Sequence, residues 1–84
     1  MLPLQYTKRR LSAFLDEVQR LMESEFAYRD SKEALEKIAW LFEAKLRCLD
    51  GFSAETDGDF VNRECSIALG DLIQYLPLLG FILR

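Results

Sequence analysis

Chemistry at a protein site needs side chains that attack, exchange protons or hold metal, and this chain is short of them. It contains no histidine, which removes the commonest general base and the commonest metal ligand. The only cysteines are Cys48 and Cys65. They stand far apart in sequence and without His, so they do not form a zinc-ligand pattern. Both fall on or near helical apolar strips and are expected to be buried structural thiols.

Asp57-Gly58-Asp59, with Glu55 and Glu64 close by, is the one acidic group that could suggest calcium. Its ligand order and glycine position differ from those of an EF-hand loop, and turn and cap chemistry account for it more simply. Glycines at 51, 58, 70 and 80 are scattered and make no phosphate loop. Paired carboxylates such as Asp16-Glu17 and Glu33/Glu36 read as solvated helix faces. No catalytic residue, metal site or cofactor is assigned, and the chain is not expected to be an enzyme.

Lys8-Arg9-Arg10, with Arg20, is the remaining charged feature. These four residues could contact a nucleic-acid backbone, and that is the alternative function. Against it stands a formal net charge of −3, because useful affinity requires several phosphates to be neutralised. Nucleic acid is therefore the disfavoured partner.

With 84 residues, the chain is expected to form one domain, 1–84, possibly the N-terminal part of a longer protein. Area scaling gives a folded surface of roughly 5,200 Å², so a single modest core is available. Half the residues are apolar and 30% are charged, which suits a folded chain. Residues 1–10 hold one short apolar run before the basic triplet and do not resemble a secretory leader. Two cysteines are few for a disulfide scaffold, so an intracellular, cytoplasmic location is expected. The window from Cys65 to Leu83 contains Asp71, Gln74 and Pro77. An aspartate near mid-span costs about 2.5–3.5 kcal/mol. The cleaner run from Leu72 to Leu83 would reach only about 18 Å as a helix, so no transmembrane span is expected.

Apolar spacing is helical nearly throughout. Leu11, Phe14, Leu15, Val18, Leu21 and Met22 mark a first helix. A start at Pro3 suits it better than one at Thr7, because the basic triplet then lies beyond the first turn. It should fade near Glu25, with a short link at 26–29. Asp30 and Glu33 have the form of a capping box for a second helix, 31–50. Gly51 suggests a left-handed cap at its end, with Phe52 folding back. After a loop at 53–58, Asp57 or Asp59 can cap a third helix with the stripe Val61, Cys65, Ala68, Leu69, Leu72 and Leu76. Pro77 should kink or end it, leaving Leu78 to Arg84 as a short fourth piece. The expected fold is all-α: a small antiparallel bundle of three main helices plus a C-terminal helical segment.

Stepping ~100° per residue gives the second helix two apolar faces. Leu35, Ile38, Ala39, Phe42, Leu46 and Leu49 form the main one. Measured from Leu35, Trp40 lies at roughly 140°, Ala44 at 180°, Cys48 at 220° and Leu41 at 240°. Lys37 and Arg47 edge this second strip. The third helix repeats the pattern weakly, with Phe60 and Ile67 both about 220–240° from Leu72. A helix that is apolar on two sides is usually central and buried, with the first helix on one face and the third helix or tail on the other. The alternative is a docking strip. The tail residues Leu78, Leu79, Phe81, Ile82 and Leu83 pose the same choice: they fold back, are covered by another chain, or continue into sequence beyond residue 84. The expected function is a protein–protein docking or self-association module without activity of its own. Its contact surface would be Trp40, Leu41, Ala44, Cys48 and the tail; its partner would be another protein or a second copy.

Overall fold

The computed structural model describes residues 3–24, 29–53 and 55–82. They form three helices packed together, α1 (Pro3–Met22), α2 (Arg29–Asp50) and α3 (Gly58–Ile82), with no strand among the described residues.

α1 starts at Pro3, the position that needs no amide donor and keeps the basic triplet clear of the helix's positive end. Its buried stripe is Thr7, Leu11, Phe14, Val18 and Leu21, a 3–4 residue spacing that keeps every member on one face. Thr7 is the buried polar residue of the stripe, and it is not without a bonding partner. The helix ends in a turn in which the Ser24 amide donates to the Leu21 carbonyl.

α2 begins at Arg29, so Asp30 lies inside the first turn and not at the flanking position that a capping box requires. The expected link at 26–29 otherwise lies outside the described residues. At the far end, Gly51 is not left-handed, since no described glycine has a positive φ. Instead its amide donates to the carbonyls of Arg47 and Cys48, each at 3.2 Å, and the Phe52 amide donates to Leu49 at 3.2 Å. Tightening the last turn satisfies these carbonyls without a left-handed residue.

Phe52 does fold back: it is partly buried and meets Phe60 edge-on with ring centroids 5.6 Å apart. Between the two rings, the Ser53 amide donates to Thr56 Oγ1 at 2.9 Å and the Thr56 amide to the Ser53 carbonyl at 3.1 Å. Asp57 then caps α3. Its side chain accepts from the Asp59 amide at 3.3 Å, and its carbonyl takes the first helical bond, from Val61 at 3.0 Å. The acidic loop thus builds a helix start, where negative charge is favoured.

α3 passes through Pro77 to Ile82 as one helix, so no separate fourth piece stands apart among the described residues. Leu76 is 45% exposed and does not belong to the inner stripe. Tyr75 takes that place, meeting Phe42 edge-on at 5.4 Å. A step of seven from Ala68 reaches 75, whereas Leu76 has drifted off the inner face by one helical step of ~100°.

The core joins Leu11, Phe14, Val18 and Leu21 of α1 to Leu35, Ile38, Phe42 and Leu49 of α2 and Cys65, Ala68 and Leu72 of α3. Phe42 is its centre, fully buried, with Phe14 at 4.7 Å on its other side. The central helix is α1, not α2. α1 packs along both neighbours, and the α2–α3 interface is the smallest of the three. Cys65 and Ala68 give α3 a narrow inner face over which α1 can approach closely. Two ion pairs pin the outer helices: Lys8–Asp50 at 3.1 Å between α1 and α2, and Lys45–Asp71 at 2.6 Å between α2 and α3. The result is elongated, 45 × 19 × 19 Å, with an accessible surface of 6,175 Å². That exceeds the roughly 5,200 Å² expected for a compact chain of this size.

Candidate functional site

The weak α2–α3 contact leaves a groove of about 220 Å³ along one side of the bundle. Leu41, Ala44 and Cys48 line it from α2, and Glu64, Ile67 and Ala68 from α3. Their spacing explains why they meet: 41, 44 and 48 recur every three to four residues, and across the gap 67 and 68 both lie one turn after 64, so each set forms one ridge. Lys45 also lines the groove, where its ammonium is held by Asp71.

The second apolar strip of α2 is therefore not buried by α3. Trp40 is 68% exposed, Cys48 is exposed, and Leu41 and Ala44 are half-buried. Three of the four residues expected to share a surface, Leu41, Ala44 and Cys48, line the groove together, and Trp40 is their neighbour one step outward on α2. On α3, Phe60 and Ile67 are 43% and 49% exposed; Ile67 faces the groove, whereas Phe60 packs edge-on against Phe52. Leu78, Leu79, Phe81 and Ile82 lie in the last turns of α3, but their side chains, and Leu83 entirely, fall outside the described residues.

Cys48 also departs from the expectation of a buried thiol. Cys65 is buried and Cys48 exposed, and both are free. Cys48 sits on the back of α2, away from α1, whereas Cys65 lies on the inner stripe of α3. A maleimide should consequently modify Cys48 within minutes while Cys65 reacts only as the domain unfolds. Mass spectrometry of the labelled protein with and without denaturant checks this, and equal protection of both thiols would close the groove.

The basic residues do not converge. Lys8 pairs with Asp50, and Arg20 donates from Nε and Nη2 to the two carboxylate oxygens of Glu17. The Arg20 hydrogen bonds hold the Glu17 carboxyl below its ordinary range, and Glu17 in turn raises the guanidinium. Arg9 and Arg10 are exposed. Arg10 borders a second recess of about 190 Å³ between α1 and α3, with Phe14, Glu17, Leu72 and Leu76. Two of the four proposed phosphate contacts are thus already engaged with carboxylates.

Among the described residues no three His, Cys, Asp or Glu converge to hold a metal ion, and no described helix is long and apolar enough to cross a membrane. The periodicity of α3 hinted at Ile67, but nothing in the sequence marked Glu64 and Ala68 as lining the gap beside it. Ile73, 67% exposed, and Tyr6, 46% exposed, also escaped the sequence reading, because exposed apolar residues carry no pattern of their own. The fold and groove define an all-α three-helix bundle that is open along one seam. No family model, curated protein or solved structure matches the chain.

Proposed function

We propose that this protein is a protein–protein docking module that binds through the α2–α3 groove and performs no chemistry of its own. The observation that carries this is a single one: Trp40 stands 68% exposed beside an apolar groove lined by Leu41, Ala44, Cys48 and Ile67. A large aromatic next to a recess is the arrangement in which interface energy concentrates, since the ring supplies much contact area at little entropic cost. Contiguous exposed apolar surface on a small domain marks a contact site. The helices of this module run antiparallel in sequence order; the pairing of Lys8, early in α1, with Asp50, the last residue of α2, supports that arrangement. The two unbridged thiols fit a reducing, intracellular setting.

The test uses the selective thiol. A benzophenone maleimide placed on Cys48 and irradiated in an extract of the source cell should yield one dominant adduct. Trp40→Ala and Ile67→Glu should each remove it. Light scattering over a wide concentration range then tells a second copy from a different protein. Trp40→Ala should change stability by no more than about 0.5 kcal/mol, as for other exposed positions. If thermal stability falls and the adduct persists, Trp40 is a packing residue and the proposal fails.

A further inference from the structure

Resting on that docking surface, we propose that the Lys45–Asp71 ion pair is a strap that fixes the width of the α2–α3 groove and so governs its readiness to receive a partner. The seam is tied near both ends and once between them. Phe52, just past α2, meets Phe60 of α3 at 5.6 Å, and Phe42 meets Tyr75 at 5.4 Å. Between these ring contacts, Lys45 reaches Asp71 at 2.6 Å. Cys48 and Leu49 of the groove lie in sequence between Lys45 and Phe52, and Glu64, Ile67 and Ala68 lie between Phe60 and Asp71. The groove is thus a window in the seam, with the ion pair closing one end of it.

Little else sets the width of that window. The α2–α3 interface is the smallest of the three, and each helix is held separately against α1. Ala44 and Ala68, which line the groove from opposite sides, have no length to interdigitate. Edge-on ring contacts persist over centroid separations of about 4.5–7 Å, so the two aromatic contacts tolerate a shift of an ångström or more. An ion pair at hydrogen-bonding distance weakens over the same shift. The side chains of Lys45 and Asp71 are 22% and 33% exposed, so solvent and salt screen them less than a pair on the open surface. Holding the seam at one width preorganises the groove, and a partner then binds without having to order it.

Spin labels on Cys48 and on Glu64→Cys measure the seam in the free protein, because Cys65 is buried and stays unlabelled. Glu64→Cys also removes the other carboxylate that faces Lys45 in the groove. With Lys45 and Asp71 in place, the labels should give one narrow distance distribution. Lys45→Met keeps the length of the side chain and drops its charge. It should broaden the distribution roughly two-fold as the seam opens and closes locally. Exchanging the charges, Lys45→Asp with Asp71→Lys, should restore the narrow distribution. A width unchanged by Lys45→Met, or one that stays broad in a folded charge-swapped protein, would overturn the strap. In the Cys48 photo-adduct experiment, Lys45→Met should lower the yield roughly five-fold, since a loosened seam must be ordered again on binding. An undiminished yield beside a broadened seam would overturn the link between strap and docking. The distances are read without a partner, so absence of any adduct in the parent chain would overturn the docking reading alone.

Discussion

Replacing Phe42 by Ala should leave a chain with little or no cooperative unfolding transition at room temperature. Phe42 is fully buried and, among the described residues, is the one ring that contacts aromatic partners from both neighbouring helices, Phe14 of α1 at 4.7 Å and Tyr75 of α3 at 5.4 Å. Truncating a buried Phe to Ala costs about 3–5 kcal/mol, the spread reflecting how far the cavity collapses. A domain of this size has stability near the lower end of the usual range, about 5 kcal/mol. The loss is then comparable to the whole. The neighbouring elements cannot close the gap easily: α1 must stay against both helices, and α2 and α3 have little direct contact through which to repack. Urea and thermal melts followed by circular dichroism measure the effect. Trp40→Ala, an aromatic truncation on the same helix but on its exposed side, is the control and should melt like the parent. Similar melts for Phe42→Ala and the parent would mean that the three helices do not share this core.

Pro77→Ala should have the second-largest effect, in the opposite direction. α3 runs unbroken through Pro77, although proline there lacks the amide that would donate to the carbonyl of Ile73. An interior proline costs a helix about 3 kcal/mol relative to alanine. The position tolerates it because Pro77 is exposed and Ile73 is 67% exposed, so water reaches the orphaned carbonyl. Alanine restores the bond, while the more flexible unfolded chain returns up to about 1 kcal/mol of the gain. The net stabilisation should be about 2 kcal/mol, which for a domain of this length raises Tm by roughly 8–16 °C. A calorimetric scan of the variant checks it. An unchanged Tm would mean that the helix is interrupted at Pro77 in solution and that the following residues form a separate piece.

Much of the bundle was legible before any coordinates. The start of α1 at Pro3 follows from one proline and three basic residues, because a helix start repels cations and needs no amide at its first position. The inner stripes of α1 and α2 follow from spacing alone, and 11, 14, 18 and 21 or 35, 38, 42 and 49 are buried as that spacing requires. The helix ends were less legible. Gly51 looked like a left-handed cap, but a tighter last turn meets the same hydrogen-bonding demand. Pro77 looked like a stop, but exposure offsets its missing donor.

For the candidate site, the sequence by itself determined that α2 carries two apolar faces and that Trp40, Leu41, Ala44 and Cys48 share the lesser one. Periodicity is a local property of one helix, and the angles of its side chains are set by the ~100° step. Only the tertiary structure decided which helix is central. That choice depends on how three surfaces fit together: the small Cys65 and Ala68 let α1 lie close to α3, while the α2–α3 seam, propped at Lys45–Asp71, stays open. A strip that would have been core in a bundle centred on α2 is therefore the wall of a groove, with Glu64 and Ile67 of α3, both more than fifteen positions beyond Cys48, facing it.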